Sequence, residues 1–227
     1  MKRILYFLLG FIALLSLLCS IAASCVTNGA LLKQGFLAYA QTGHLNVPAS
    51  RYGDYAAAVS DYLDGKTDLP RVSAESKMIP AFSDKENAHL ADVRRIVACL
   101  KWIRWIGGGG VIAVIAGLYL TSRDRQKLLS SLARGFALAA LALLMLATVL
   151  AVWGAVNFNG LFWTFHQLVF PNDLWLLNPN TDLLMALMPL PFFSWYAGEM
   201  AKSLLPVLGL MALLIIAWLR TSKEAKA

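Results

Sequence analysis

Along the 227 residues, apolar positions gather into four long blocks instead of alternating with polar ones. The first, 4–23, follows Lys2 and Arg3, and the others occupy 103–120, 135–156 and 204–219. Blocks of about 20 residues match the roughly 30 Å hydrocarbon thickness of a bilayer at 1.5 Å per helical residue. Inside lipid every backbone polar group must find a partner within its own segment, so each block is predicted to be a helix. A basic start before an apolar run also fits a signal peptide, and Ala22-Ala23-Ser24-Cys25 resembles a weak lipoprotein cleavage box. The run is longer than a signal core, which favours an uncleaved anchor helix.

The polar stretch from Val26 to Lys101 is too long for a plain loop and is expected to hold helices of its own. Tyr55, Val59, Tyr62 and Leu63 fall at helical spacing, as if one face were laid on the membrane, and Gly65 and Pro70 mark the end of that helix. Ser83-Asp84-Lys85-Glu86 reads as a capping box that opens a second helix. Its positions His89, Val93, Ile96, Leu100 and Ile103 form one continuous face leading into the second block. The run Gly107 to Gly110 permits close packing or a kink there. Pro206 interrupts the last block, which the residues before it are expected to prolong outward.

The expected fold class is therefore an all-α membrane protein: four transmembrane helices with a mostly helical extracytoplasmic cap. Transmembrane helix 1 covers 1–24, the cap 25–101, helix 2 covers 102–121, and a cytoplasmic loop 122–134. Helix 3 covers 135–156, an extracytoplasmic aromatic-rich segment 157–203, helix 4 covers 204–220, and a cytoplasmic tail 221–227. Composition agrees, with 59% apolar residues and a mean hydropathy of +0.62, which excludes an ordinary soluble domain. The net charge of +7 matters through its placement, which argues for membrane sidedness over nucleic acid as a partner. Lys2, Arg3, Arg123, Arg125, Lys127, Arg134, Arg220, Lys223 and Lys226 flank the blocks on one side, against only Asp124 and Glu224. The other 11 of the 13 acidic residues fall in the two intervening segments. The bias places both termini and the short loop in the cytoplasm.

Three cysteines, Cys19, Cys25 and Cys99, show no metal-binding spacing. Cys25 and Cys99 both fall near outer helix ends, where a bridge is conceivable and unlinked thiols are the simpler reading. The three histidines, His44, His89 and His166, all belong to the outer segments. Glu86 and Asp92, three residues either side of His89, are placed to fix its tautomer and raise its pKa, as a general base requires. A histidine merely bonded to a carboxylate is the structural alternative. His166 sits within Phe162-Trp163-Thr164-Phe165-His166-Gln167, in a segment dense with Phe158, Phe170, Trp175, Phe192, Phe193, Trp195 and Tyr196. Such a density suits an acyl-chain pocket and equally an interfacial anchor. The turns at Pro171-Asn172-Asp173 and Asn178-Pro179-Asn180 offer amides for a developing oxyanion, although turn geometry alone accounts for them. G-x-S-x-G, GxxxxGK[ST] and H-x-x-x-H motifs are absent, and no acidic pair lies deep in a span. A metal hydrolase built on His89, His166 and Asp173 is a minor reading.

Two motifs extend the picture. One is Phe82-Ser83, Glu86, His89 and Asp92-Val93. The other is Phe165-His166, Phe170-Pro171-Asn172-Asp173-Leu174-Trp175, Asn178-Pro179, Asp182-Leu183, Pro189 and Phe192-Phe193. Together they resemble the bacterial lipoprotein intramolecular transacylases over essentially the whole chain, with Asn178 departing from an expected acidic residue. The resemblance implies an acyltransferase that acts on diacylated lipoproteins among membrane lipids. It would move the sn-2 acyl chain of the diacylglyceryl group to the α-amine of the amino-terminal cysteine, giving a lyso-form lipoprotein. His89 and His166 match the family's functional histidines. Glu86, Asp92, Trp163, Phe165, Phe170, Asn172, Asp173 and Trp175 are the supporting or substrate-binding candidates. No metal, cofactor or nucleic acid is expected, and the chain is expected to act as a monomer in the bacterial plasma membrane. The alternative from another class is a non-enzymatic membrane scaffold that binds lipid or lipoprotein.

Overall fold

The computed structural model describes residues 2–74 and 76–224. Glu75, and Lys226 of the expected tail, lie outside the described residues. Among those described, four helices are long and apolar enough to cross a membrane: Lys2–Val26, Asp84–Thr121, Arg125–Val169 and Leu190–Arg220. The chain divides into two compact units.

The first unit holds residues 1–21, 100–156 and 202–227. It contains most of α1 (Lys2–Val26), a π-helical turn at Ile103–Gly107, α5 (Gly108–Thr121), the first part of α6 (Arg125–Val169) and the last part of α8 (Leu190–Glu224). Its core is aliphatic: Leu14 packs with Ala139, Ala140, Leu143, Val207 and Met211. A second cluster joins Leu9, Val111, Leu128 and Leu132. With no hydrophobic drive between helices in lipid, close backbone approach supplies the association. Gly135 provides it, since a β-carbon there would fall 2.4 Å from the Tyr6 carbonyl carbon and oxygen. The π turn ends at Gly107, where Ser16 Oγ donates to Ile12 O at 2.7 Å and to Ile103 O at 3.2 Å. The chain stays helical through Pro206.

The second unit holds residues 22–99 and 157–201. It contains α2 (Gly29–Tyr39), α3 (Tyr52–Asp64), the hairpin β1 (Arg71–Ala74) and β2 (Lys77–Pro80), α4 (Asp84–Trp102) up to residue 99, and α7 (Leu183–Leu187). The strands pair antiparallel, with Val72 opposite Ile79. Neither α2 nor the hairpin is foreseen in the sequence, although Asn28 is a readable cap whose side chain accepts from Leu31 N–H. The end of α3 falls where Gly65 adopts φ +90° and closes the helix. Its apolar face departs from expectation. Tyr55, Val59, Tyr62 and Leu63 do not form an exposed face for a membrane; they are buried with Phe36, Leu90, Leu187 and Phe192 in this unit's own core. On α4 the most buried apolar side chains are Leu90 and Val97, not the predicted Ile96 and Leu100. Leu90 joins the cluster of Tyr55, Val59 and Tyr62, with Val93 of the predicted face packed against it. Cys25 and Cys99 are free thiols, the first buried and the second exposed.

Candidate active site

The site lies within the second unit, on two helices and the turn that follows the later one. α4 is opened by the capping box: Ser83 N–H donates to Glu86 Oε2 at 2.8 Å and Glu86 N–H to Ser83 Oγ at 3.4 Å. The Glu86 side chain is only 2% exposed. Its second oxygen, Oε1, accepts from Leu184 N–H at 2.5 Å and so fastens the first turn of α7 to the start of α4. Both oxygens thus hold backbone N–H groups. Glu86 is a tie between elements and not a partner of the His89 ring.

His166 is carried by the C-terminal part of α6. That helix breaks at Asn157, whose φ of −149° and ψ of 76° are not helical. Asn157 Oδ1 then accepts from Gly160 N–H at 2.9 Å, restarting the helix with a side-chain cap. His166 Nδ1 lies 2.8 Å from Phe162 O. A carbonyl only accepts, so Nδ1 carries the proton and Nε2 keeps a free lone pair. Phe162 (4.1 Å between ring centroids), Trp175 (5.1 Å), Phe165 (5.3 Å) and Phe170 (5.4 Å) surround the imidazole.

The structure brings the two histidines together across 77 positions of sequence. Their ring centroids are 6.3 Å apart, too far for a direct bond and close enough to flank one small group. Phe170 packs against both, 5.0 Å from His89 and 5.4 Å from His166. His89 Nδ1 is buried with no hydrogen-bond partner. Both rings lie outside the four apolar blocks, and burial pushes the pKa of each below the ordinary imidazole value. For His89 the neighbouring His166 lowers it further, while the Asp92 charge opposes. For His166 the Phe162 carbonyl opposes. The expectation of a raised His89 pKa is thereby reversed, because desolvation outweighs a carboxylate that does not touch the ring.

Asp92 bonds elsewhere. Asn172 Nδ2 donates to its Oδ2 at 2.8 Å, and Arg95 donates to its Oδ1. The Asn172 amide, with Arg95 adding to it, holds the Asp92 carboxyl below the usual range. Asn172 Oδ1 accepts from Leu174 N–H at 3.0 Å, so both ends of the Asn172 amide are engaged. Asn172 pins the turn after His166 to the helix of His89. Asp173 is exposed at the same turn, with its backbone carbonyl accepting from Leu176 N–H. Trp163 and Trp175 meet edge to face at 5.0 Å, and Trp163 and Phe165 are largely exposed. His44 stands apart, bonding through Nε2 to Pro179 O at 3.0 Å. Arg95 escaped the sequence reading, although its place three residues after Asp92 was the available signal. Among the described residues, no three His, Cys, Asp or Glu side chains converge to hold a metal ion.

The family model for the lipoprotein intramolecular transacylase Lit matches residues 6–193. No curated protein sequence matches the chain significantly. Among solved structures, it is similar to the membrane-integral lipoprotein intramolecular transacylase Lit from Bacillus cereus, at 20% identity and a TM-score of 0.72, over 99% of this chain and 98% of that one. Two variants of the same Bacillus cereus protein, with one histidine replaced by arginine or by alanine, match at the same identity with TM-scores of 0.64 and 0.62. They cover 95% and 96% of those chains, and 99% and 100% of this one. With most of its length matched, the chain belongs to the lipoprotein intramolecular transacylases, a family of membrane-integral acyltransferases.

Proposed function

We infer that this chain transfers an acyl group within one lipoprotein molecule. The chain leaves the sn-2 oxygen of the S-diacylglyceryl group and joins the free α-amine of the amino-terminal cysteine. The observation that carries this reading is the pair of buried imidazoles 6.3 Å apart and walled by aromatic rings.

The α-amine, deprotonated near its pKa of about 8, attacks the ester carbonyl. His166 Nε2, whose lone pair is left free by the Nδ1 bond, accepts the proton released from nitrogen. His89 donates a proton to the departing glyceryl oxygen. One C–N bond forms, one C–O bond breaks, and one proton passes in net from nitrogen to oxygen. The proton held by His166 passes to His89, so each imidazole returns to its starting state. The depressed pKa values keep both rings neutral at rest at physiological pH, which suits the base role of His166. His89 acts as donor with the proton relayed to it from His166. No enzyme nucleophile is required, since both reactants are carried on one molecule and their proximity lowers the barrier by several kcal/mol. The ring cluster of Phe162, Phe165, Phe170 and Trp175 excludes water that would hydrolyse the ester.

The same reading includes the sidedness. Both termini and the loop 122–134 face the cytoplasm of a bacterial plasma membrane, and segments 25–101 and 157–203 face outward, as the distribution of Lys and Arg supports. The active species is a monomer that needs no cofactor.

The test is co-expression with a model diacylated lipoprotein, followed by fragmentation mass spectrometry of the amino-terminal lipopeptide. The acyl shift conserves total mass, so the fragments must locate the chain on nitrogen. Wild type is expected to give N-acylated fragments, and His166→Ala the unshifted diacylglyceryl form. Identical fragments from the two would refute the reading and favour a lipid-binding scaffold.

A further inference from the structure

The first unit contains a feature that acyl transfer at the histidines does not use. A cavity of about 780 Å³ opens where the start of α1, the 122–124 turn, the first turns of α6 and Trp218 of α8 meet. Lys2, Arg3, Lys127 and Arg134 line it, against the single carboxylate of Asp124. Asp124 is itself engaged, since its Oδ1 caps α6 by accepting from Lys127 N–H at 2.9 Å. Among the described residues, none of the four cations is ion-paired. Four positive groups around one cavity repel one another and raise a local potential that only an anion relieves.

The helical spacing shows how this place is built. Lys127, Ser131, Arg134 and Leu138 stand at steps of four, three and four, one stripe of α6 turned into the cavity. Gly135 on the same stripe brings α1 so close that no β-carbon fits, which sets Lys2, Arg3 and Tyr6 opposite. The rest of the lining includes apolar side chains. Leu138, 43% exposed, continues along the span, and Tyr6 and Trp218 are residues that prefer the headgroup level of a bilayer. Four cations, two aromatic rings and the leucines Leu128 and Leu138 in one lining match a glycerophospholipid in charge, volume and mixed polarity. We propose that this cavity binds the phosphate-bearing headgroup of an anionic glycerophospholipid, whose acyl chains run along the Leu138 side of the helices. On the sidedness given above, the lipid belongs to the cytoplasmic leaflet. Arg134 suits two-point contact with a phosphate, and the lysines act as point charges.

The experiment uses the full-length protein, purified in a neutral detergent and followed by native mass spectrometry as lipid is added. Wild type is expected to retain phosphatidylglycerol over phosphatidylcholine. Lys127→Gln with Arg134→Gln is expected to weaken that retention by about tenfold or more. Removing these charges also affects membrane orientation, so Ser131→Trp, which fills the cavity and keeps every charge, serves as the second variant and is expected to lose retention similarly. Equal retention of the two lipids by wild type, or undiminished retention by Ser131→Trp, overturns the proposal. Sodium phosphate that displaces phosphatidylglycerol at comparable concentration would mark a free-phosphate site and overturn the lipid assignment.

Discussion

The two units solve opposite problems with one chain. The first buries alanine, leucine and methionine around a glycine crossing, and among its described residues Ser16 is the one buried polar side chain. The second buries Thr42, Ser60, Glu86, His89, Asp92 and His166 among tyrosines and phenylalanines. In lipid an unpaired polar group costs several kcal/mol, so a spanning bundle uses packing and few polar contacts. In the second unit the polar groups hold elements together. Thr42 bonds Val47 O and Tyr52, Ser60 bonds Thr27 O, and Glu86 holds two backbone N–H groups. His89 departs from this pattern: its Nδ1, like Asn87 Oδ1 on the same helix, is buried without a hydrogen-bond partner. An unpartnered titratable ring beside a second histidine contributes little to stability and is what proton-transfer chemistry needs.

This contrast can be broken in order of expected effect. The largest change should come from the histidines. His89→Ala and His166→Ala are each expected to lower the acyl-shift rate about 10²- to 10⁴-fold. Helical content by circular dichroism should stay at the wild-type level, and a collapse of the fold would reassign both rings to structure. Next is Glu86→Ala, which strips acceptors from the Ser83 and Leu184 N–H groups and should destabilise the protein by about 2–4 kcal/mol in thermal unfolding. If Glu86 mattered only as a charge near His89, activity would fall without that loss of stability.

The first unit should respond differently. Gly135→Leu is expected to cost about 1–3 kcal/mol by forcing α1 off α6 at Tyr6. Enzyme that remains folded should keep its rate per molecule, which assays in detergent can measure. A rate loss matching a histidine variant would end the division of labour between the units. The smallest effect is on pH. The unfolded chain takes up protons near pH 6.5, whereas the folded imidazoles resist them until lower pH. Below about 6.5 the unfolded state therefore binds more protons, and stability falls as the solution is acidified. The melting temperature of His89→Gln should decline less steeply with acid than that of wild type. The acid limb of the activity profile should likewise lie below the ordinary imidazole value.

Much of this protein was legible in its sequence because lipid imposes a simple rule. Apolar length and obligatory backbone pairing determine that helices cross the membrane, and the capping box at Ser83 and Glu86 and the closure at Gly65 are local patterns that need no partner. The chain alone also marked His89 and His166 as the residues to watch, through the motifs around them. Only tertiary structure decided what surrounds them. Glu86 and Asp92 are placed by spacing to serve His89, yet each has a better partner arriving from far along the chain, Leu184 N–H for one and Asn172 for the other. The face of α3 that looked ready for a membrane found Phe36 and Phe192 instead. Helical periodicity fixes which side chains share a face and is silent on what meets that face, because burial, desolvation and hydrogen bonding depend on residues that are neighbours only after folding.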